Sequence, residues 1–175
     1  MLEAVEMPGK TRLFYWDTCV FLAWIKDEKR PPGEMDNLRG CVELVEANQA
    51  HVITSALTFA EITRSRCSDK AIEMFEGILR RQNATVVNVD VKVARLASDI
   101  RGYYLDRKDE HGLGLCTPDA IHLATALLYK ADEFHTFDER NGRGSLGLLG
   151  LDGNIAGRPL RVLKPLASNQ PSLDL

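Results

Sequence analysis

The sequence predicts an α/β protein, a three-layer α/β/α sandwich with a mostly parallel central sheet, and three observations lead there. Short β-branched and aromatic runs alternate along the chain with stretches whose apolar residues recur at helical spacing. Strands that alternate with helices are joined by crossovers and pair in parallel. The chain has 175 residues and 45% apolar content, which suits a single domain whose core needs no disulfide or cofactor.

After a polar leader over residues 1–12, Leu13-Phe14-Tyr15-Trp16 is a β-prone run that stops at Asp17, and residues 20–25 read as the helix that follows. Asp17 therefore ends a strand. Pro31-Pro32-Gly33 breaks that helix. Leu38, Cys41, Val42, Leu44 and Val45 then form the stripe of an amphipathic helix running to about Ala50. His51-Val52-Ile53-Thr54-Ser55 reads as a second strand, with Ser55 or Thr58 as cap for a helix that carries Glu61 in its first turns. A further helix buries Ala71, Ile72, Phe75, Ile78 and Leu79, and Thr85-Val86-Val87-Asn88-Val89 reads as a third strand.

Asp90 caps a long helix with the stripe Val93, Leu96, Ala97, Ile100 and Tyr104, and a polar loop over residues 107–115 follows. Thr117-Pro118-Asp119 has the composition of a helix start, with Thr as cap, Pro at the first helical position and an acid in the first turn. Phe134-His135-Thr136-Phe137 is a fourth strand ending at Asp138, and residues 160–163 read as a fifth. The Gly-rich stretch between them contains Gly142-Arg143-Gly144-Ser145-Leu146-Gly147, which matches a dinucleotide-binding pattern in letters alone. No helix-forming stretch follows it. It reads instead as a mobile loop near Asp138, over the substrate groove. The polar tail, residues 165–175, closes the chain as a frayed end.

Charge and cysteines narrow the classes further. The net charge of -3 argues against a passive nucleic-acid coat, while a carboxylate-rich metal site remains compatible with it. Cys19, Cys41, Cys67 and Cys116 are too widely spaced for zinc-ligand pairs and read as buried free thiols. No run approaches the ~18 apolar residues of a membrane span, and the first residues lack an apolar signal core. A reducing cytoplasm is the expected setting.

The chemistry lies in four acids far apart in sequence: Asp17, Glu61, Asp119 and Asp138. Two end strands and two lie in first helical turns, so all four can face the edge where α/β sheets bind ligands. Carboxylates brought together repel one another unless a cation neutralises them, and oxygen-only ligands favour Mg²⁺ or Mn²⁺ over zinc. Such ions serve phosphodiester hydrolysis. Taken singly, each acid has an ordinary explanation as a turn, cap or solvated residue. Asp17 and Glu61 are the least ordinary, because each interrupts an apolar run.

The segments Phe14-Tyr15-Trp16-Asp17-Thr18, Phe59-Ala60-Glu61-Ile62, Thr117-Pro118-Asp119-Ala120-Ile121-His122-Leu123-Ala124-Thr125-Ala126 and His135-Thr136-Phe137-Asp138 occur in the order of the PIN family. The chain resembles a PIN domain over residues 13–164, and within that family it is most similar to the VapC-like toxins of toxin–antitoxin pairs. The resemblance implies an endoribonuclease that acts on RNA with Mg²⁺ or Mn²⁺, a homodimer and a cognate antitoxin. It implies metal-ligand roles for Asp17, Glu61, Asp119 and Asp138, with Thr18 and Thr136 as supporting hydroxyls. Asn141 stands where similar proteins often carry a further acid. His122, three residues after Asp119 on the same helical face, is read as a phosphate or carboxylate contact beside the simpler reading of a structural histidine. Arg64 is read as a partner for Glu61 or RNA beside simple solvation.

Other functions consistent with these residues are a stand-alone PIN nuclease, a PIN interaction module with weak catalysis, and a dehalogenase-like phosphatase built on Asp17. The phosphatase pattern needs a second Asp where Cys19 stands.

Overall fold

The structure, a computed structural model, describes residues 11–64, 67–107, 113–139 and 145–167. Among the described residues there are five strands: β1 (Arg12–Trp16), β2 (Ala50–Ser55), β3 (Ala84–Val87), β4 (Glu133–His135) and β5 (Arg161–Leu163). The helices are α1 (Thr18–Lys26), α2 (Glu34–Glu46), α3 (Leu57–Arg64), α4 (Asp69–Leu79), α5 (Val91–Asp106) and α6 (Thr117–Leu128), with a short 3-10 helix at Leu148–Leu151. The strands form one sheet in the order β3-β2-β1-β4-β5, and every pairing is parallel. From β1 the chain builds outward through β2 and β3, then returns to place β4 on the other side of β1. The strand order reverses between β1 and β4, where α/β sheets open a crevice at their carboxyl ends.

Alternation along β1 divides the core into two layers. Phe14 and Trp16 pack with Phe21, Leu38, Cys41 and Phe75 from α1, α2 and α4. Tyr15 points the other way and packs with Ile53, Ile100, Leu123 and Phe134. Phe14, Tyr15 and Trp16 are all fully buried, as a central parallel strand covered by helices on both faces requires. Tyr15 stacks on Phe134 with ring centroids 5.0 Å apart, tying β1 to β4.

Several boundaries differ from the sequence-based expectation, each for a local reason. α2 ends at Glu46 rather than near Ala50, because Asn48 takes the left-handed conformation (φ 58°) that terminates helices. β3 stops at Val87, and the chain turns so that the Asp90 N–H reaches the Asn88 carbonyl before Asp90 caps α5 through Val93 N–H (2.9 Å). At α3, Ser55 Oγ accepts the Leu57 N–H, while Thr58 hydrogen-bonds Thr54. Thr117 is not the cap of α6. Cys116 occupies that position, its Sγ accepting the Asp119 N–H, so Thr117 becomes the first helical residue.

The Gly-rich stretch also departs from expectation. Its described part, from Ser145 onward, places Leu148, Ile155, Ala156 and Leu160 in the core rather than over a groove. The apolar side chains between its glycines decide this, because burial recovers hydrophobic free energy that a surface loop would forgo. Left-handed Gly153 and Gly157 (φ 81° each) make the turns that return the chain to β5. Gly142, Arg143, Gly144 and Lys108 lie outside the described residues, as do the leader through residue 10 and the tail from residue 168. All four cysteines are free, but only Cys41 is buried; Cys19, Cys67 and Cys116 are half-buried. Among the described residues no helix is long and apolar enough to cross a membrane.

Candidate active site

Asp17 follows β1 and occupies the cap position of α1, yet its side chain makes no cap hydrogen bond. Its Oδ2 instead accepts from Thr136 Oγ1 (2.7 Å) and from the Cys19 thiol (3.3 Å). Thr136 comes just after β4, and its Oγ1 also accepts the Asp138 N–H at 3.1 Å. This turn of Thr136 toward Asp17 explains why β4 is shorter than the β-prone run in the sequence. The Asp17 N–H meanwhile reaches the His135 carbonyl (3.2 Å), so β1 and β4 deliver Asp17 and Asp138 to the same edge.

Asp138 is held from both ends. Its Oδ2 accepts the Leu148 N–H (3.1 Å) and its carbonyl accepts the Leu149 N–H (3.0 Å), which fastens the site to the 3-10 helix. Asp119, in the first turn of α6, accepts from the Cys116 thiol (2.7 Å) and from Ser145 Oγ (3.4 Å). Burial first, and then the charges of Asp17 and Asp138, raise its carboxyl to about 6 from 3.8, against the Cys116 hydrogen bond and His122. Asp119 therefore senses both neighbouring acids. The Cys116 thiol, half-buried and facing that carboxyl, is pushed up to about 12 and stays protonated as a donor.

Glu61 completes the set from α3. Thr18 Oγ1 donates a short hydrogen bond to Glu61 Oε2, and His122 Nε2 lies 2.8 Å from the same oxygen. The other ring nitrogen, Nδ1, is 2.6 Å from the Tyr15 hydroxyl. Burial opposes a charge on His122, but the Glu61 hydrogen bond and the charges of Asp17, Glu61 and Asp119 outweigh it and raise its pKa. The histidine is 1% exposed. It is thus an internal partner of Glu61 rather than a surface residue.

The four acids predicted from sequence converge, as do Thr18, Thr136 and His122. They do not close around an ion-sized space: among the described residues, no three His, Cys, Asp or Glu groups stand close enough to hold a metal. Asn141 and the side chain of Arg64 lie outside the described residues. Four contributors escaped the sequence reading. Cys19 and Cys116 each donate to a site carboxylate, Ser145 reaches Asp119, and Tyr15 anchors His122. Cys19 and Cys116 do stand two and three residues before or after an acid, a local signal that reading them as inert core thiols passes over.

Residues 14–143 match the PIN domain family. The chain belongs to that family. Solved structures agree on the fold. The Mycobacterium tuberculosis protein VapC20, described as a sarcin-ricin loop cleaving toxin, is similar with a TM-score of 0.52 and 18% identity, over 71% of this chain and 89% of that one. FitAcB from Neisseria gonorrhoeae is similar with a TM-score of 0.51 and 19% identity, over 87% and 97%. VapBC2 from Rickettsia felis, bound to a promoter DNA fragment, gives 0.50 and 16%, over 71% and 86%. No curated protein matches the chain. In this PIN domain the acids gather at the reversal of strand order between β1 and β4.

Proposed function

We propose that this PIN domain is a Mg²⁺- or Mn²⁺-dependent endoribonuclease and the toxin of a toxin–antitoxin pair. The observation that carries the catalytic part is the gathering of Asp17, Asp119 and Asp138 at one sheet edge, where Thr136 touches both Asp17 and the Asp138 N–H and where the charges of Asp17 and Asp138 act on Asp119. Carboxylates gathered at one edge repel one another and favour a cation.

The donor set fits a hard divalent ion in kind. Asp17, Asp119 and Asp138 offer carboxylate oxygens, with Glu61 beside them. His122 has both ring nitrogens engaged, by Glu61 and Tyr15, and the thiols of Cys19 and Cys116 stay protonated by burial and neighbouring acids. Soft and borderline donors are thereby withdrawn, which favours Mg²⁺ or Mn²⁺ over zinc. When bound, such an ion neutralises phosphate charge and activates water for phosphodiester hydrolysis.

The chain's own residues prepare the carboxylates. Thr136 and Cys19 hold Asp17, the Leu148 N–H holds Asp138, and Cys116 holds Asp119. His122 and Thr18 fix Glu61 through one oxygen. Orientation by such outer partners is worth a large share of activity in metal-assisted sites. RNA as substrate, an antitoxin as protein partner and a homodimeric state rest on the resemblance to VapC-like toxins and on the likeness to VapC20, FitAcB and VapBC2.

Incubation of the purified protein with single-stranded and structured RNA, with Mg²⁺, with Mn²⁺ or with EDTA, tests the reading. Internal cuts that need the metal are expected. Cutting that persists in EDTA, or no cutting under any of these conditions, contradicts it.

A further inference from the structure

A cleft of about 290 Å³ opens beside Asp138, lined by Arg30, Pro31, Glu34, Phe137 and Glu139 as well. The proposed catalytic reading uses none of these five residues. The Arg30 guanidinium lies over the Phe137 ring, its central carbon 3.8 Å from the ring centroid. Glu28 (2.7 Å) and Glu34 (3.8 Å) pin it from the sides. Its Nε–H is buried and has no acceptor among the described residues. Lys164, near the end of the described chain, bridges Glu34 (2.7 Å) and Glu139.

These contacts restrict what can enter. Arg30 in the cleft and Lys164 beside it already face carboxylates, and Asp138 adds a further negative charge, so a phosphate would meet more repulsion than attraction. A flat neutral ring with N–H groups meets no such penalty. It can stack on the guanidinium plane, as unpaired bases do on arginine, and give its amino hydrogens to the Glu34 or Glu139 carboxylate, as carboxylates accept from base amino groups. The volume lies near the lower end of small-ligand clefts, about 300–1,000 Å³, and suits one heterocycle rather than a folded segment.

We infer that the Arg30–Phe137 cleft is a nucleobase subsite, which takes an unpaired, amino-bearing base, guanine best, next to the bond cut at the acids. This rests on the ribonuclease reading and deepens it, because it makes Arg30 and Glu34 specificity-determining residues and makes the substrate unpaired at that point. Uracil, which lacks an exocyclic amino group, is the disfavoured base.

Two measurements separate the claims. Binding of fluorescent uridine oligonucleotides, with and without one guanosine, is measured in EDTA. Cleavage of the same oligonucleotides is measured with Mn²⁺. Wild type is expected to bind the guanosine oligonucleotide about tenfold more tightly and, when cutting, to cut beside the guanosine with a lower KM. Glu34→Gln and Arg30→Met should reduce the preference to about twofold or less with kcat unchanged; uridine-only binding should hold in Glu34→Gln and weaken in Arg30→Met, which loses the stacking plane. Arg30→Lys, which keeps the charge and loses the plane, should behave like Arg30→Met, and thermal melting confirms that each variant is folded. No base preference in wild type, or a preference that survives Glu34→Gln and Arg30→Lys, overturns the subsite. So does an arginine-containing peptide that displaces nothing in the Arg30 variants yet outcompetes guanosine in wild type, since the cleft would then be a peptide site. Preferential binding without any cleavage leaves the subsite standing and removes the nuclease reading.

Discussion

His122 Nε2 lies 2.8 Å from Glu61 Oε2, bridging α6 and α3 across 61 positions of sequence. The pair is sheltered, with His122 1% and Glu61 25% exposed. A hydrogen-bonded pair so enclosed is costly to break from one side, because the remaining carboxylate keeps its shelter and loses its partner. His122→Ala is therefore expected to lower kcat/KM for RNA by ~10–100-fold and to lower the melting temperature. His122→Gln, which can still donate to Glu61, should recover part of the activity. Wild-type kinetics in both variants would refute a positioning role.

Tyr15 is the second half of this arrangement. Its hydroxyl is 2.6 Å from His122 Nδ1, and both groups are buried. Tyr15→Phe leaves the stack on Phe134 and leaves one nitrogen unanswered, so a loss of about 1–3 kcal/mol is expected in urea unfolding. Equal stability would show that this hydrogen bond contributes nothing net.

The acids predict a pH dependence in the absence of divalent metal. Asp119 binds its proton at about 6 in the folded chain against 3.8 ordinarily, chiefly through burial. Its contribution is fully present below the unfolded value and is lost as pH rises through about 6. His122 is raised too, with the Glu61 hydrogen bond overcoming burial, so its contribution likewise fades as pH rises through its folded value. The EDTA-treated protein should melt higher near about pH 5 than near about pH 8, by a few degrees. Asp119→Asn should flatten that slope, and Mg²⁺ should reverse part of it by favouring the ionised carboxylates. A slope of the opposite sign in wild type would contradict a carboxyl of Asp119 raised in the folded chain.

Leu148 links the core to the site. Its side chain is fully buried while its N–H holds Asp138. Leu148→Ala should cost about 2–5 kcal/mol of stability through the cavity it leaves. Activity should fall further than the folded fraction explains, because the backbone that holds Asp138 shifts with it. Activity that tracks the folded fraction alone would separate the two roles.

The architecture was legible where the pattern was dense. The apolar run of β1 and the stripe of α5 fixed their elements because burial on both faces, or on one face, writes itself into composition. Asp17 stood out as a charge that stops an apolar strand, and it does sit at the carboxyl edge. Less was legible where one residue serves two ends. Thr117 has the composition of a cap, but the weak acceptor Cys116 takes that place and also donates to Asp119. Tyr15 looked like core and is core, and nothing in sequence says that its hydroxyl meets a histidine from α6. His122 and His135 are both buried, yet one is raised and the other lowered. His135, whose burial and the Arg12 charge outweigh Glu133, also accepts from Trp16 Nε1 (3.2 Å). Neighbours supplied by the fold make that difference. The Gly-rich stretch misled because glycine content outweighed Leu148 and Ile155, whose burial decides its path.

The most direct test of the account is cleavage of a fluorescent RNA by wild type and by Asp17→Asn, with Mn²⁺ added after removal of all metal. Asp17→Asn keeps the size of the side chain and can still meet Thr136, so the protein should fold while its activity falls by about 100-fold or more. Equal rates for wild type and Asp17→Asn, or undiminished wild-type cleavage without Mn²⁺, would contradict a metal-dependent nuclease built on these acids.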